Sequence, residues 1–130
     1  MFSQIRAWMP DPLTHEIIGA AIAVSKGTRI GLFEAAYELF LAHEIAKRGL
    51  AVERQRTFPV EYDGIRMSMA FRVDLVVEGQ VIVEVKAVPA LIPVHDTQIL
   101  TYMHFSGIHK GLLLNFHAFP FTKGIKRFVL

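Results

Sequence analysis

The sequence predicts a mixed α/β domain in which helices flank a sheet of antiparallel and parallel strands. Two helix patterns come first, and three strand patterns joined by tight turns follow up to Lys86. A third helix pattern and a short apolar strand come next. A strand that follows a helix in this way pairs in parallel through a right-handed crossover. With one more strand at the end, the predicted order is αα-βββ-α-β-β.

The composition is that of one globular domain. The chain has 130 residues, of which 52% are hydrophobic and 20% are charged, enough apolar material for a single core. The formal net charge of +2 permits an anionic partner without requiring one. Because the chain has no cysteine, disulfides, thiolate metal sites and a thiol nucleophile are excluded.

The two ends of the chain differ in their patterns. Residues 1–13 contain Pro10 and Pro12 and predict an irregular N-terminal lead-in, so the single domain spans residues 14–130. The first residues lack the basic start and long apolar stretch of a signal peptide. No apolar run approaches the ~20 residues that cross a bilayer. We therefore expect a cytoplasmic protein without a membrane partner.

Two helices are predicted in the first third of the chain. The first runs from Thr14, a good N-cap residue, to about Ser25. The second and longer helix opens at Gly31 and ends near Arg48. The apolar positions of the second helix recur at helical spacing: Phe33, Ala36, Tyr37, Phe40, Leu41 and Ile45.

One acidic residue interrupts this apolar stripe. Glu34 falls beside Tyr37 and Leu41 on the predicted core side of the second helix. A carboxylate is costly to bury without a partner, which makes Glu34 a candidate functional residue. A glutamate at a helix start is also favoured by the helix dipole, and the local sequence supports both interpretations equally.

Three strand patterns follow. The first covers residues 56–62 and leads into Asp63-Gly64, a typical two-residue hairpin turn. The stretch 65–77 is longer than a typical strand, so we expect a bend near Ser68. The chain then enters a second hairpin, which completes an antiparallel meander.

The second hairpin, residues 72–86, has two arms rich in Val, Leu and Ile. Its loop, residues 78–80, is polar and contains a glycine, which is typical of a three-residue hairpin connection. This loop predicts a register in which Val77 lies opposite Val81.

In that register Asp74 faces Glu84, and Arg72 faces Lys86. These four residues share one face of the hairpin. The other face is lined by Val73, Leu75, Val83 and Val85. Two carboxylates directly opposite each other are destabilising without a positive charge between them. Either a divalent cation or a surface ion-pair cluster with Arg72 and Lys86 would supply that charge.

The last third of the chain predicts a helix and two strands. The helix covers about residues 95–105, ends at Gly107 and carries Gln98. A short apolar strand spans residues 111–116, and the final strand spans residues 124–130. The sequence contains no Gly-rich phosphate loop, no nucleophile elbow and no HExxH motif.

An ordered set of polar residues remains: Glu34 on a helix, Asp74 on a strand, Glu84-x-Lys86 on the next strand and Gln98 on the following helix. This set resembles the PD-(D/E)XK nuclease superfamily, whose core is αβββαβ, and more narrowly the small GxxExxY protein family within it. The resemblance extends from about Thr14 to Arg127. The matching segments are Gly31-Leu32-Phe33-Glu34-Ala35-Ala36-Tyr37, residues 72–77, residues 83–87, residues 95–102 and residues 111–116.

The resemblance implies a restriction-endonuclease-like αβββαβ core with flanking helices and a divalent-cation site. By the superfamily pattern, Asp74 and Glu84 would hold Mg²⁺ or Mn²⁺, with Glu34 adding a ligand directly or through water. Lys86 would orient or activate the attacking water, and Gln98 would position Lys86 or the substrate. Val73 stands where the superfamily's name-giving proline would be, a common departure that does not touch the chemistry.

The resemblance also implies a metal-dependent, nuclease-like protein that hydrolyses phosphodiester bonds in DNA or RNA. The alternative is a nucleic-acid-binding, accessory or structural module with the same fold and little or no turnover. Nucleic acid is the expected partner whether the protein is an enzyme or a binding module. The sequence leaves open DNA or RNA as the substrate and a monomer or a homodimer as the assembly.

Overall fold

The computed structural model describes residues 11–130. These residues form three α-helices, five strands and one short 3-10 helix. The helices are α1 (Pro12–Gly27), α2 (Glu34–Lys47) and α3 (Pro93–Ser106), and the 3-10 helix is Phe121–Gly124. The strands are β1 (Val52–Tyr62), β2 (Ile65–Val77), β3 (Val81–Lys86), β4 (Lys110–Asn115) and β5 (Ile125–Val129). The predicted order of helices and strands is confirmed.

The five strands form one mixed sheet in the order β1-β2-β3-β4-β5. β1 with β2, β2 with β3, and β4 with β5 are antiparallel, whereas β3 and β4 are parallel. Because α3 connects the two parallel strands, it serves as the crossover that such a pair requires. This arrangement confirms the predicted mixed α/β fold class.

Two apolar clusters cover the two faces of the sheet. Along β3, Val81, Val83 and Val85 pack in the cluster that includes the buried residues of α1 and α2. Ile82, which points to the opposite face, packs with the buried residues of α3. The sheet is therefore sandwiched between α1 and α2 on one side and α3 on the other.

The start of α1 differs from the prediction. Asp11 rather than Thr14 is the N-cap, and its Oδ2 accepts a hydrogen bond from the Thr14 backbone N–H at 3.3 Å. Pro12 suits the first helical turn because its missing N–H would have no partner there. Residues 1–10, most of the predicted irregular lead-in, lie outside the described residues, and its last residues belong to the cap and to α1.

The second helix is also shorter than predicted. α2 begins at Glu34 rather than Gly31 and has 14 residues, against 16 in α1. Phe33 precedes the helix and is 87% exposed, and Phe40 is 42% exposed, so neither belongs to the buried stripe. The buried positions of α2 are Tyr37, Glu38, Leu41, Ala42 and Ile45.

The predicted turn between β1 and β2 lies at Asp63-Gly64, where both residues have positive φ, as a tight hairpin turn requires. β2 continues as one strand through residues 65–77. The pairing register shifts between Phe58 and Val60, opposite residues 68–70 of β2. This shift occurs where the sequence predicted a bend.

The predicted register of the β2–β3 hairpin is confirmed, since Val77 pairs with Val81 and the ladder continues to Leu75 and Val83. Arg72 pairs with Thr57 on β1 and is not among the residues that pair with β3, so its predicted position opposite Lys86 is not observed.

Val73 also departs from the prediction. It packs in the cluster under α3, whereas Leu75 packs under α1 and α2. The alternation of faces is therefore interrupted at Asp74, the residue between them. Within the described residues, no helix is long and apolar enough to cross a membrane.

Candidate active site

Asp74 and Glu84 meet where the β2–β3 ladder ends. The Asp74 backbone N–H donates to Glu84 Oε2 at 2.8 Å, and the Val85 backbone N–H donates to Asp74 Oδ2 at 2.8 Å. Each carboxylate is thus fixed by a backbone N–H of the opposite strand. At this point, hydrogen bonds from backbone to side chain replace the backbone–backbone hydrogen bonds of the β2–β3 ladder. One oxygen of each carboxylate remains outside these two bonds.

Burial controls the electrostatics of this pair. Glu84 is only 4% exposed, and this burial, together with the charge of Asp74, raises the pKa of Glu84 to about 8. The charge of Glu34 acts in the same direction, while the Asp74 N–H and Lys86 oppose it. At neutral pH the protein therefore favours protonated Glu84 beside Asp74, because a buried charge next to a second negative charge is costly.

Lys86 follows two residues later on β3 and is half-buried. Its Nζ donates to Oε1 of Gln98, on α3, at 3.3 Å. Gln98 also hydrogen-bonds the Tyr102 hydroxyl, and burial followed by the charges of Glu84 and Asp74 raises the pKa of Tyr102. The structure therefore brings Lys86 and Gln98 together next to the carboxylate pair.

Glu34 lies at the start of α2 and is exposed, so it occupies a helix-start position and not the core side of the helix. Its charge nevertheless acts on Glu84. The preceding loop is held in place by Tyr37, whose hydroxyl donates to the Arg29 carbonyl and accepts the Leu32 N–H. These bonds fix the point at which α2 begins and therefore the position of Glu34.

The buried acid Glu38 was not predicted from the sequence. The Glu38 side chain is 8% exposed and pairs with Arg54 at 3.1 Å. Burial, followed by the charge of Asp74, raises the pKa of Glu38. The available signal was its spacing, because residues three positions apart share a side of a helix and Leu41 belongs to the buried stripe.

Gln55 of β1 was also missed. Its Nε2 donates to Glu38 Oε1 and lies 3.4 Å from Asp74 Oδ1. No pattern in the sequence marks this glutamine, because residues 53–57 are an unbroken polar run and the predicted strand began only at residue 56.

Comparison with protein families decides the identity of the fold. The sequence matches the PD-(D/E)XK nuclease superfamily over residues 11–128. The chain belongs to this superfamily. Comparison with curated proteins and with solved structures gives no match.

Nucleases of the PD-(D/E)XK superfamily are typically dependent on divalent metals. Among residues 11–130 of this member, no group of three or more histidine or acidic side chains is arranged to hold a metal ion. Two carboxylates are present, however, and Mg²⁺ commonly binds one or two carboxylates while it keeps several waters. Asp74 and Glu84 therefore fit such an ion, with water or phosphate oxygens as its remaining ligands.

Proposed function

We propose that this PD-(D/E)XK superfamily member is a metal-dependent nuclease that hydrolyses phosphodiester bonds in DNA or RNA. The observation that carries the proposal is the meeting of Asp74 and Glu84 at the open end of the β2–β3 ladder, with Lys86 two residues further along β3 and its charge acting on Glu84. Two carboxylates and a nearby ammonium are the groups that metal-assisted phosphodiester hydrolysis needs. The hydrogen bond from Lys86 to Gln98 restrains the position of the ammonium group.

Within the superfamily, we propose membership of the GxxExxY proteins. Gly31 has a φ of +118°, a conformation that glycine adopts without steric cost. Tyr37 is buried and pins the loop that contains this glycine. The three motif residues thus have separate roles: Gly31 turns the chain, Tyr37 fixes it, and Glu34 begins α2 at the site.

Asp74 and Glu84 are the proposed cation ligands, with Glu34 contributing through water. When bound, Mg²⁺ or Mn²⁺ would lower the pKa of a water molecule and offset charge on the phosphate. Glu84 must release its proton before it can act as a ligand. Because the pKa of Glu84 is raised to about 8, cation affinity should increase as the pH rises toward that value.

Lys86 is proposed to orient the attacking water and to offset the charge that develops on the phosphate. Its contact with Gln98 restrains the long side chain from the α3 side of the site. A cavity of about 560 Å³ opens beside Glu34 and is also lined by Ala87, the residue after Lys86. Of the proposed site residues, only Glu34 lines this cavity.

Cleavage assays with single- and double-stranded DNA and RNA test the proposal, with Mg²⁺ or Mn²⁺ present and EDTA as the blank. Lys86→Ala should keep cation binding and lose about 10²–10³-fold in cleavage rate, the loss typical for a group that stabilises transition-state charge. Asp74→Ala should lose both. Lys47→Ala, which alters a surface pair at the end of α2, serves as the matched control.

Two outcomes would contradict the proposal in different ways. If the wild-type protein binds nucleic acid but cleaves no substrate in this panel, the binding or accessory module replaces the enzyme. If Lys86→Ala cleaves as fast as the wild type, the proposed role of Lys86 is wrong.

A further inference from the structure

One residue of β1 departs from strand conformation in the middle of the strand. Gln55 has a φ of +53°, and it lies between two paired positions of β1, opposite Asp74 on β2. A left-handed backbone is unfavourable for a residue that carries a Cβ. Such strained residues persist where the surrounding structure holds them, and they concentrate at functional sites.

The side chain of Gln55 connects two acidic residues from different elements. Its Nε2 donates to Glu38 Oε1 and lies 3.4 Å from Asp74 Oδ1. A primary amide has two N–H donors, so it can serve both carboxylates at once. Glu38 is itself held through its other oxygen by Arg54, at 3.2 Å from Nε.

The two oxygens of Asp74 have different partners. Oδ2 accepts the Val85 backbone N–H, which ties it to β3. Oδ1 faces the Gln55 amide, which ties it to β1. Because a carboxylate oxygen has two lone pairs, Oδ1 can accept this hydrogen bond and still coordinate a cation.

We propose that Gln55 is a positioning residue of the cation site, whose amide, anchored by Glu38, fixes the orientation of the Asp74 carboxylate before a cation binds. The inference rests on the proposed function, since it takes Asp74 as a cation ligand. It also gives a role to Glu38 and Arg54, which hold Gln55 in place although neither of them touches Asp74 through a hydrogen bond in the described residues. Partners that orient a metal ligand usually contribute to metal affinity.

Mn²⁺ affinity, measured by calorimetry or electron paramagnetic resonance without nucleic acid, tests this role. Gln55→Leu keeps the approximate size of the side chain and removes the amide. Gln55→Asn keeps the amide group and introduces a residue that tolerates a left-handed backbone. Its side chain is shorter than that of glutamine by one methylene group. Both variants should bind Mn²⁺ about tenfold more weakly than the wild type, and Gln80→Leu, in the exposed β2–β3 turn, should bind normally.

Melting temperature and circular dichroism accompany each affinity, because a purely structural role would lower stability and leave the affinity of the folded protein unchanged. If Gln55→Leu does not fold, the Mn²⁺ affinity of Gln55→Asn alone decides the result. Wild-type Mn²⁺ affinity in the folded variants would overturn the role of Gln55 and leave the proposed function standing. If the wild type binds Mn²⁺ no better than Asp74→Ala, the proposed metal site fails, and the role of Gln55 fails with it.

Discussion

The carboxyl group of Glu84 holds a proton at a pH where a free glutamate would have lost it. Burial and the charge of Asp74 raise its pKa to about 8, and the pKa of Glu38 is raised for the same two reasons. In both cases, ionisation of the buried carboxyl group beside Asp74 costs free energy when no cation is bound. A bound cation would relieve that cost by supplying positive charge.

Removal of one negative charge should therefore be tolerated. In Asp74→Asn the amide oxygen can still accept the Val85 N–H, although the amide nitrogen cannot accept from Gln55. The repulsion of Glu84 and Glu38 disappears. We expect the free energy of unfolding to change by less than about 1 kcal/mol and the melting temperature to stay level or rise. Thermal and urea unfolding without metal measure this, and a loss of several kcal/mol would contradict it.

The same variant should respond less to metal. A cation at 100 times its dissociation constant stabilises a folded protein by about 2.7 kcal/mol, and Asp74→Asn weakens that binding. The increase in melting temperature caused by Mg²⁺ or Mn²⁺ should be larger in the wild type. Equal increases in the two proteins would count against Asp74 as a ligand.

The raised pKa of Glu84 also predicts how stability depends on pH. The folded protein keeps a proton on Glu84 between its ordinary pKa of 4.5 and about 8, whereas the unfolded chain has lost it. Since the native state binds more protons in this range, the free energy of unfolding should fall as the pH rises from about 5 to 8 and then level off. Glu38 contributes in the same direction.

Unfolding at intervals between about pH 5 and pH 9 measures this dependence. Glu84→Gln, which cannot titrate, should flatten the decline. A decline of the same size in Glu84→Gln would show that Glu84 is not its source.

At the level of elements, the start of α2 depends on Tyr37. Its ring stacks on Phe116 with 4.8 Å between centroids, and its hydroxyl holds the loop that ends at Glu34. The buried ring and the bonded hydroxyl together position this loop against the chain that follows β4.

Tyr37→Phe keeps the ring and removes the two hydrogen bonds. We expect the free energy of unfolding to fall by about 1–2 kcal/mol and the Leu32 amide to exchange its hydrogen faster. Urea unfolding and hydrogen exchange measure the two effects. Tyr62→Phe, at an 81% exposed position, should change neither, and unchanged exchange at Leu32 in Tyr37→Phe would contradict this role of the hydroxyl.

The hairpin that carries Asp74 and Glu84 could be predicted because its turn fixes its register. A polar loop between two apolar arms allows few pairings, and the pair Val77–Val81 is the observed one. The position of Val73 could not be predicted in this way. Alternation fails at Asp74, where hydrogen bonds to side chains replace the ladder, and a period-two pattern contains no information on such a break.

Across the whole molecule, the mixed sheet and its flanking helices follow from hydrophobic periodicity and from the order of elements. The buried acid Glu38 was not predicted, because a glutamate on an amphipathic helix normally faces solvent. It is buried only because Arg54 and Gln55 of β1 reach it. Long-range partners of this kind depend on tertiary packing, which the pattern of one helix does not contain.

The proposed function requires that one divalent cation binds between Asp74 and Glu84. Crystals soaked in Mn²⁺ above pH 8, where Glu84 can ionise, test it most directly through the anomalous signal of the metal. We predict one Mn²⁺ ion within direct bonding distance, about 2.0–2.3 Å, of an oxygen from each carboxylate. Soaked crystals with no metal at these two carboxylates, or with metal bound only elsewhere, would contradict the claim.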